Sequence, residues 1–268
     1  MNLEQYNLEK NSEGKIELPS QFNEPISLNL IARSVITLQL NKRQPYGASP
    51  EAGTRVSAQV SRRRRAYRGS YGRGISRVPR KVLSRSGRQF FWQGALAPGT
   101  VKGRRAHPPK ASTQLFKKIN KKENNKAIRS ALSAAIAKDF VKKRGHILPE
   151  GYPFVVNDSL ASIEKTKIAK QALEKLGFAP ELKRTTKKTV RAGRGKTRGR
   201  KYNRKIGPLI VVAEHCALQK SAANMPGVEI VLVNKLNAEL LAPGTVPGRM
   251  ILFTSSAINK IKNEKLFM

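Results

Sequence analysis

Acidic residues are missing from two long stretches of this chain. From Ala52 to Lys122 there is no Asp or Glu, against 20 Lys or Arg, and from Leu182 to Ala213 there is again none, against 12. Net charge is +36, so the excess of positive charge is local to these blocks and is not a general surface property. Cysteine is nearly absent too: Cys216 stands alone, which excludes an internal disulfide framework and agrees with a reducing compartment. Asp139 and Asp158 are the only aspartates, and no carboxylate pair for acid/base work or magnesium binding can be assembled from the sequence. The three histidines, His107, His146 and His215, have no metal-ligand spacing. No apolar run approaches the roughly 18 residues that span a bilayer, so no membrane is expected as a partner. The start, Met1-Asn2-Leu3-Glu4-Gln5, has neither a basic leader nor an apolar region, and a cytoplasmic location is expected.

What stands in the first block is a run of arginines, Arg62-Arg63-Arg64-Arg65, followed by glycine, serine and tyrosine. Few apolar residues recur there at a helical or strand period, so the block is expected not to fold alone. A dense polyanion would order it, because each cation set against a phosphate releases condensed counterions. RNA is the first candidate. Solvated tracts or a nuclear-import signal are the plain alternatives, but import signals need only short runs. Arg55, Arg62, Arg63, Arg64, Arg65, Arg68, Arg77, Arg80, Lys81, Arg85, Arg88, Lys102, Arg104, Arg105 and Lys110 are the candidate RNA-binding cations here. In the second block they are Arg191, Arg194, Lys196, Arg198, Arg200, Lys201, Arg204 and Lys205. Tyr67, Phe90, Phe91, Trp92 and Tyr202 offer flat faces for stacking on unpaired bases, or for packing locally.

The remainder reads as a folded body. Short alternating runs near Tyr6 to Leu8 and Ile16 to Leu18 predict a small hairpin or edge strands. Leu28, Ile31, Val35 and Leu38 predict a helix from Ser27 to about Pro45. A second helical region is predicted from Ser112 through Ile128, Leu132, Ile136 and Phe140, stopped by Gly145, and a third carries Ala169, Ala172, Leu173 and Leu176, ended by Gly177. Phe154 to Val156, Leu209 to Ala213, Val228 to Val233 and Met250 to Phe253 read as short buried strands. This alternation predicts an α/β fold with a mainly parallel sheet flanked by helices and a long, extended basic internal loop. The expected division is a body of residues 1–47 and 108–268, with 48–107 as an RNA-penetrating loop.

Two motifs invite chemistry and lack its context. Gly195-Lys196-Thr197 resembles the end of a phosphate-binding loop, but Val190 stands where the first glycine belongs, and no apolar strand precedes it. His215 and Cys216 are neighbours and would point to opposite sides of a strand. No enzyme and no cofactor is expected.

The order of features resembles the universal large-subunit ribosomal protein four family, in its archaeal and eukaryotic branch. The likeness runs from about Ile16 to Ile261. It is carried by residues 72–80 (GRGISRVPR), 101–110 (VKGRRAHPPK), Arg129-Ser130-Ala131-Leu132, Arg144-Gly145-His146, residues 191–196 (RAGRGK) and 198–202 (RGRKY), Leu241-Ala242-Pro243-Gly244, and Pro247-Gly248-Arg249. The resemblance implies a structural constituent of the large ribosomal subunit, bound to ribosomal RNA and neighbouring ribosomal proteins. It further implies that the internal extension threads through RNA, with Ser70, Tyr71 and Arg73 lining the exit tunnel near the nascent polypeptide. Phe90-Phe91-Trp92-Gln93 departs from the family pattern. The lack of the long C-terminal extension of eukaryotic members after Met268 points to an archaeal type. The rival readings are an RNA-modifying enzyme and a free regulatory RNA-binding protein.

Overall fold

A computed structural model describes all residues, 1–268. Its strands are β1 (Asn2–Tyr6), β2 (Ser12–Glu17), β3 (Arg80–Ser86), β4 (Gln89–Gly94) and β5 (Phe154–Val156). They continue with β6 (Lys188–Val190), β7 (Tyr202–Arg204), β8 (Leu209–Val212), β9 (Glu229–Leu232) and β10 (Ile251–Thr254). The helices are α1 (Leu28–Asn41), α2 (Lys121–Ile136), α3 (Lys138–Lys143), α4 (Thr166–Leu173), α5 (Ala179–Thr186), α6 (Leu218–Ser221), α7 (Ala238–Leu241) and α8 (Ser255–Asn263). The chain divides into two units: Met1–Lys42 with Phe116–Met268, and Arg43–Leu115.

In the first unit a six-stranded sheet has the order β2-β1-β5-β10-β8-β9, parallel throughout except for the antiparallel β1–β2 pair. Strands covered on both faces need apolar residues at every position, and Leu209, Ile210, Val211 and Val212 of β8 are all buried. Alternate side chains then feed two cores. Leu209, Val211, Val155, Ile251 and Phe253 meet Ile31 of α1, Leu132 of α2, Leu241 of α7 and Ile258 of α8 on one face. Ile210, Val212, Phe154 and Leu252 meet Leu173 of α4, Leu182 of α5 and Leu218 of α6 on the other.

The structure departs from the expectations in three places. The expected N-terminal hairpin forms, as the antiparallel pair β1–β2 with β2 at the edge, but it begins at Asn2 and belongs to the main sheet, with β1 inside it. The reason is that Leu3 is buried in one core while the Tyr6 ring lies edge-on to Phe154 at 5.2 Å, covering both sides of β1. The second helical region begins at Lys121, nine residues later than Ser112, and breaks at Ala137, whose ψ of 108° separates α2 from α3. Leu115 and Ile119 are followed by lysines and do not extend the buried stripe of Ala127, Ile128, Ala131 and Leu132. Third, the basic segment holds regular structure of its own, the antiparallel pair β3–β4. Val82 and Leu83 are adjacent and set among Lys81, Ser84, Arg85 and Ser86, and Phe90-Phe91-Trp92 is an unbroken aromatic run, so neither strand shows the apolar alternation by which a half-buried strand is recognised.

Candidate nucleic-acid interface

Within Arg43–Leu115 the two arms of the chain run side by side. The Ala48 N–H donates to the Pro109 carbonyl at 3.0 Å. Further out, a Cβ on Gly53 would sit 2.5 Å from the Arg104 nitrogen, so only glycine allows the backbones to approach that closely. Beyond them β3 and β4 pair from Arg80–Gly94 to Ser86–Gln89. Their one face carries an aromatic stack: Phe90 lies on Trp92 at 5.1 Å and receives Tyr67 edge-on at 5.2 Å. The Tyr67 hydroxyl donates to the Gly87 carbonyl at 3.1 Å and accepts from Arg85 at 3.2 Å. Phe91 is 58 % exposed on the opposite face.

Guanidinium groups cover these rings. Arg80 lies 5.4 Å from the centre of Trp92, Arg73 lies 5.9 Å from Phe90, and Arg77 and Arg64 lie 4.6 and 5.7 Å from Tyr71. Each exposed contact of this kind contributes about 0.5–1 kcal/mol, enough to bias long side chains toward a preset orientation. Ser70 is 5 % exposed, its hydroxyl donating to the Ser61 carbonyl at 3.2 Å, whereas Tyr71 and Arg73 face solvent. Arg68, Arg80 and Lys81 are half-buried and the other candidate cations of this segment are exposed. Only Arg55 among them has a carboxylate partner, Glu51 at 3.5 Å. The positive charge is therefore uncompensated.

The second block forms the short antiparallel pair β6–β7, whose tip is a single turn, Arg194–Arg198. Gly195-Lys196-Thr197 thus lies on an exposed hairpin tip and opens no long helix. Lys188 and Lys201 stand 4.5 and 5.5 Å from the centre of the Tyr202 ring. Arg191, Arg194, Lys196, Arg198, Arg200, Lys201, Arg204 and Lys205 are all exposed and unpaired with any carboxylate.

At the base of this hairpin lies a polar network that the sequence did not assign. Glu181 of α5 is fully buried; its Oε1 is 2.6 Å from His146 Nδ1 and 2.5 Å from Arg184 Nη2. Its Oε2 accepts from Arg184 Nε at 2.7 Å and from the Ile147 N–H at 3.0 Å. Burial alone would raise this carboxyl, but the hydrogen bonds from Arg184, from His146 and from the Ile147 N–H outweigh it and hold the group down at about 2. Arg184 also donates to the Ile206 carbonyl at 2.6 Å, tying α5 to the strand end of the basic hairpin. Next to it, Arg144 donates to the carbonyls of Pro243, at 2.6 Å, and Val246. Burial, then repulsion from Arg249 and Arg184, brings Arg144 down to about 10. Arg249, 1 % exposed, donates to the carbonyls of Gly207 and Leu240, each at 3.0 Å, and to Glu229 at 2.7 Å.

Three separated stretches, Arg144-Gly145-His146, Leu241-Ala242-Pro243-Gly244 and Pro247-Gly248-Arg249, therefore converge on one place. The signal in the sequence was Glu181 itself, the acid directly before a block that has none. Gly248 closes the arrangement: its φ is +90° and a Cβ would lie 2.5 Å from the Phe140 carbonyl oxygen. Gly248→Ala is expected to lower stability by about 3 kcal/mol through strain and clash, read as a shift in urea midpoint at constant slope. A change below about 1 kcal/mol would contradict the tight approach. Arg129-Ser130 works similarly inside the body: Arg129 donates to Glu24 at 2.8 Å and to the Phe267 carbonyl at 2.6 Å, and Ser130 accepts from the Ser27 N–H at 2.7 Å.

Comparison with known proteins places this geometry. Residues 16–264 match the family described as ribosomal protein L4/L1. The large ribosomal subunit protein uL4 of Nanoarchaeum equitans is 50 % identical over 263 residues, covering 98 % of both chains. The proteins of the same name from Methanococcoides burtonii and Archaeoglobus fulgidus are 42 % and 40 % identical, covering 95 % and 91 % of both chains respectively. Matched along nearly its whole length, with the convergent Arg144, Pro243 and Arg249 stretches inside the matched span, the chain belongs to the ribosomal protein L4/L1 family.

Proposed function

We propose that this chain is a structural constituent of the large ribosomal subunit that binds ribosomal RNA through both basic segments and lines the nascent-chain tunnel with the tip of the 48–107 segment. The role is that of a component and not of an enzyme, and its place is the ribosome, in the cytoplasm. The single observation that carries the RNA reading is the uncompensated charge: of the 23 cations assigned above from the sequence, Arg55 alone pairs with a carboxylate. An array of free cations fits a polyanion, with phosphate contacts dominant and shape providing the fit. Tyr67, Phe90 and Trp92 already stack on one another, so Phe91 is the aromatic left for a base or a neighbouring ribosomal protein.

For the tip, Tyr71 and Arg73 are the exposed pair that faces the nascent polypeptide, with Ser70 behind them. A photoreactive residue placed at Tyr71 is expected to crosslink nascent chains on translating ribosomes, while the protein stays with large subunits through a high-salt wash. Subunit association without crosslinks would move the tunnel-facing residues elsewhere along the segment. A protein that leaves the subunits in salt would overturn the ribosomal role.

A further inference from the structure

Helix α1 is apolar nearly all the way round, with Arg33 its only charged residue. A helix of that composition belongs inside a protein. Ile31 and Val35 are fully buried in the core, yet on the outward side Leu28 and Ile36 are 52 % and 47 % exposed, with the half-buried Ala32 between them. These three stand at i, i+4 and i+8, so they form one stripe about 12 Å long. Ala32 and Ile36 also wall a groove of about 460 Å³, which Lys117 and Lys118 close on its far side. The Lys117 N–H donates to Asn41 Oδ1 at 2.9 Å and pins that segment beside the helix. The rim of the groove is positive. Lys117 and Lys118 have no carboxylate partner, and the only one near Arg33 is Glu123, at 3.7 Å.

We propose that this face docks an acidic amphipathic helix of another protein of the large subunit, its aliphatic residues laid along Leu28, Ala32 and Ile36 and its carboxylates meeting Arg33, Lys117 and Lys118. This rests on the ribosomal reading and adds to it a protein contact of stated place and chemistry; none of the three cations is among those assigned to RNA above. Two other occupants fit less well. RNA would meet the cations, but a sugar-phosphate backbone has no apolar surface to cover an aliphatic stripe, and the groove has no aromatic face on which a base could stack. A second copy would bring a chain of net charge +36 against a positive rim, and like charges set against each other oppose docking. An acidic helix meets both demands, in the helix-in-groove mode whose apolar anchors recur at i, i+3 and i+4.

The test begins with assembled large subunits whose copy of this chain carries a photoreactive residue at Ile36, an exposed position outside both cores. The expected result is a crosslink to one protein segment, identified by mass spectrometry of the crosslinked peptide, with aliphatic residues at i and i+3 or i+4 and carboxylates beside them. That segment, made as a synthetic peptide, is then titrated against the full-length chain and is expected to bind saturably. Lys117→Glu with Lys118→Glu is expected to weaken the peptide about tenfold by placing like charges on the rim, and Leu28→Ser with Ile36→Ser to weaken it about tenfold by removing the apolar floor. All four positions are exposed, so the variants keep the fold. A crosslink to RNA alone, to a second copy, or to a segment without that pattern overturns the docking face, as does the absence of any crosslink from subunits that hold the chain. A peptide that binds the variants as tightly as the parent chain overturns it too. In each of those cases the ribosomal reading stands; a chain that does not sediment with large subunits removes that reading and this proposal together.

Discussion

Glu181→Gln is expected to cost the folded chain about 3 kcal/mol at neutral pH, because it leaves the buried His146 and Arg184 donors facing an amide that can accept only half as much and donates where they donate. For a domain of this size that is a fall in Tm of about 6–12 °C. The pH dependence gives the sharper signature. The carboxyl is held at about 2 in the folded chain against an ordinary value of 4.5. A depressed folded value means that the contribution is fully present above the ordinary value and is lost as pH falls from about 4.5 toward 2. Wild type and variant should therefore converge in acid, with the gap between their urea midpoints closing over that window. A gap that is constant with pH would show that the loss does not come from the ionised carboxylate. A loss below about 1 kcal/mol would mean that Arg184 and the loop carrying His146 hold their places without this carboxylate.

The strands of the body were legible because the parallel sheet is covered on both faces: Leu209 to Val212 and Ile251 to Phe253 are unbroken apolar runs, and no competing pattern explains them. The N-terminal strands were misplaced because β1 carries Glu4 and Gln5 between Leu3 and Tyr6, and its partnership with β5 joins residues about 150 positions apart, which no local pattern reports. The β3–β4 pair was missed for the opposite reason. Its strand residues are present, but Val82 and Leu83 are adjacent among charged and polar neighbours and Phe90 to Trp92 run together without alternation, and Tyr67 joins the aromatic stack only when it is brought against Phe90 from 23 positions away. The cations of the interface were legible by composition alone. Glu181, His146 and Arg249 were not, because a buried polar residue in sequence looks like any exposed one until its partners are known. What distinguishes them is three-dimensional: Arg249 satisfies carbonyls from Gly207 and Leu240, segments 42 and 9 residues distant.

Deleting Ser61–Lys102 and closing the gap with a Gly-Ser linker is expected to leave a body that melts cooperatively while its affinity for ribosomal RNA falls by about 10³ or more at low salt. The two outcomes rest on separate observations. Both apolar cores are built entirely from residues outside the deletion, from Leu3 to Val35 and from Ile128 to Ile261, so the sheet and its helices keep all of the burial that stabilises them. The deletion removes 12 Lys and Arg, and were half of them to face phosphates, the slope of log K against log salt would drop by about 4 to 5 units. Binding to a ribosomal RNA fragment, measured across salt, reads that slope directly, and a thermal scan reads the body. An unchanged slope would put the phosphate-binding cations on the second block, where Arg191 to Lys205 would have to carry the affinity alone. A truncated chain with no thermal transition would mean that the body needs the segment to fold, although neither of its cores draws on that segment.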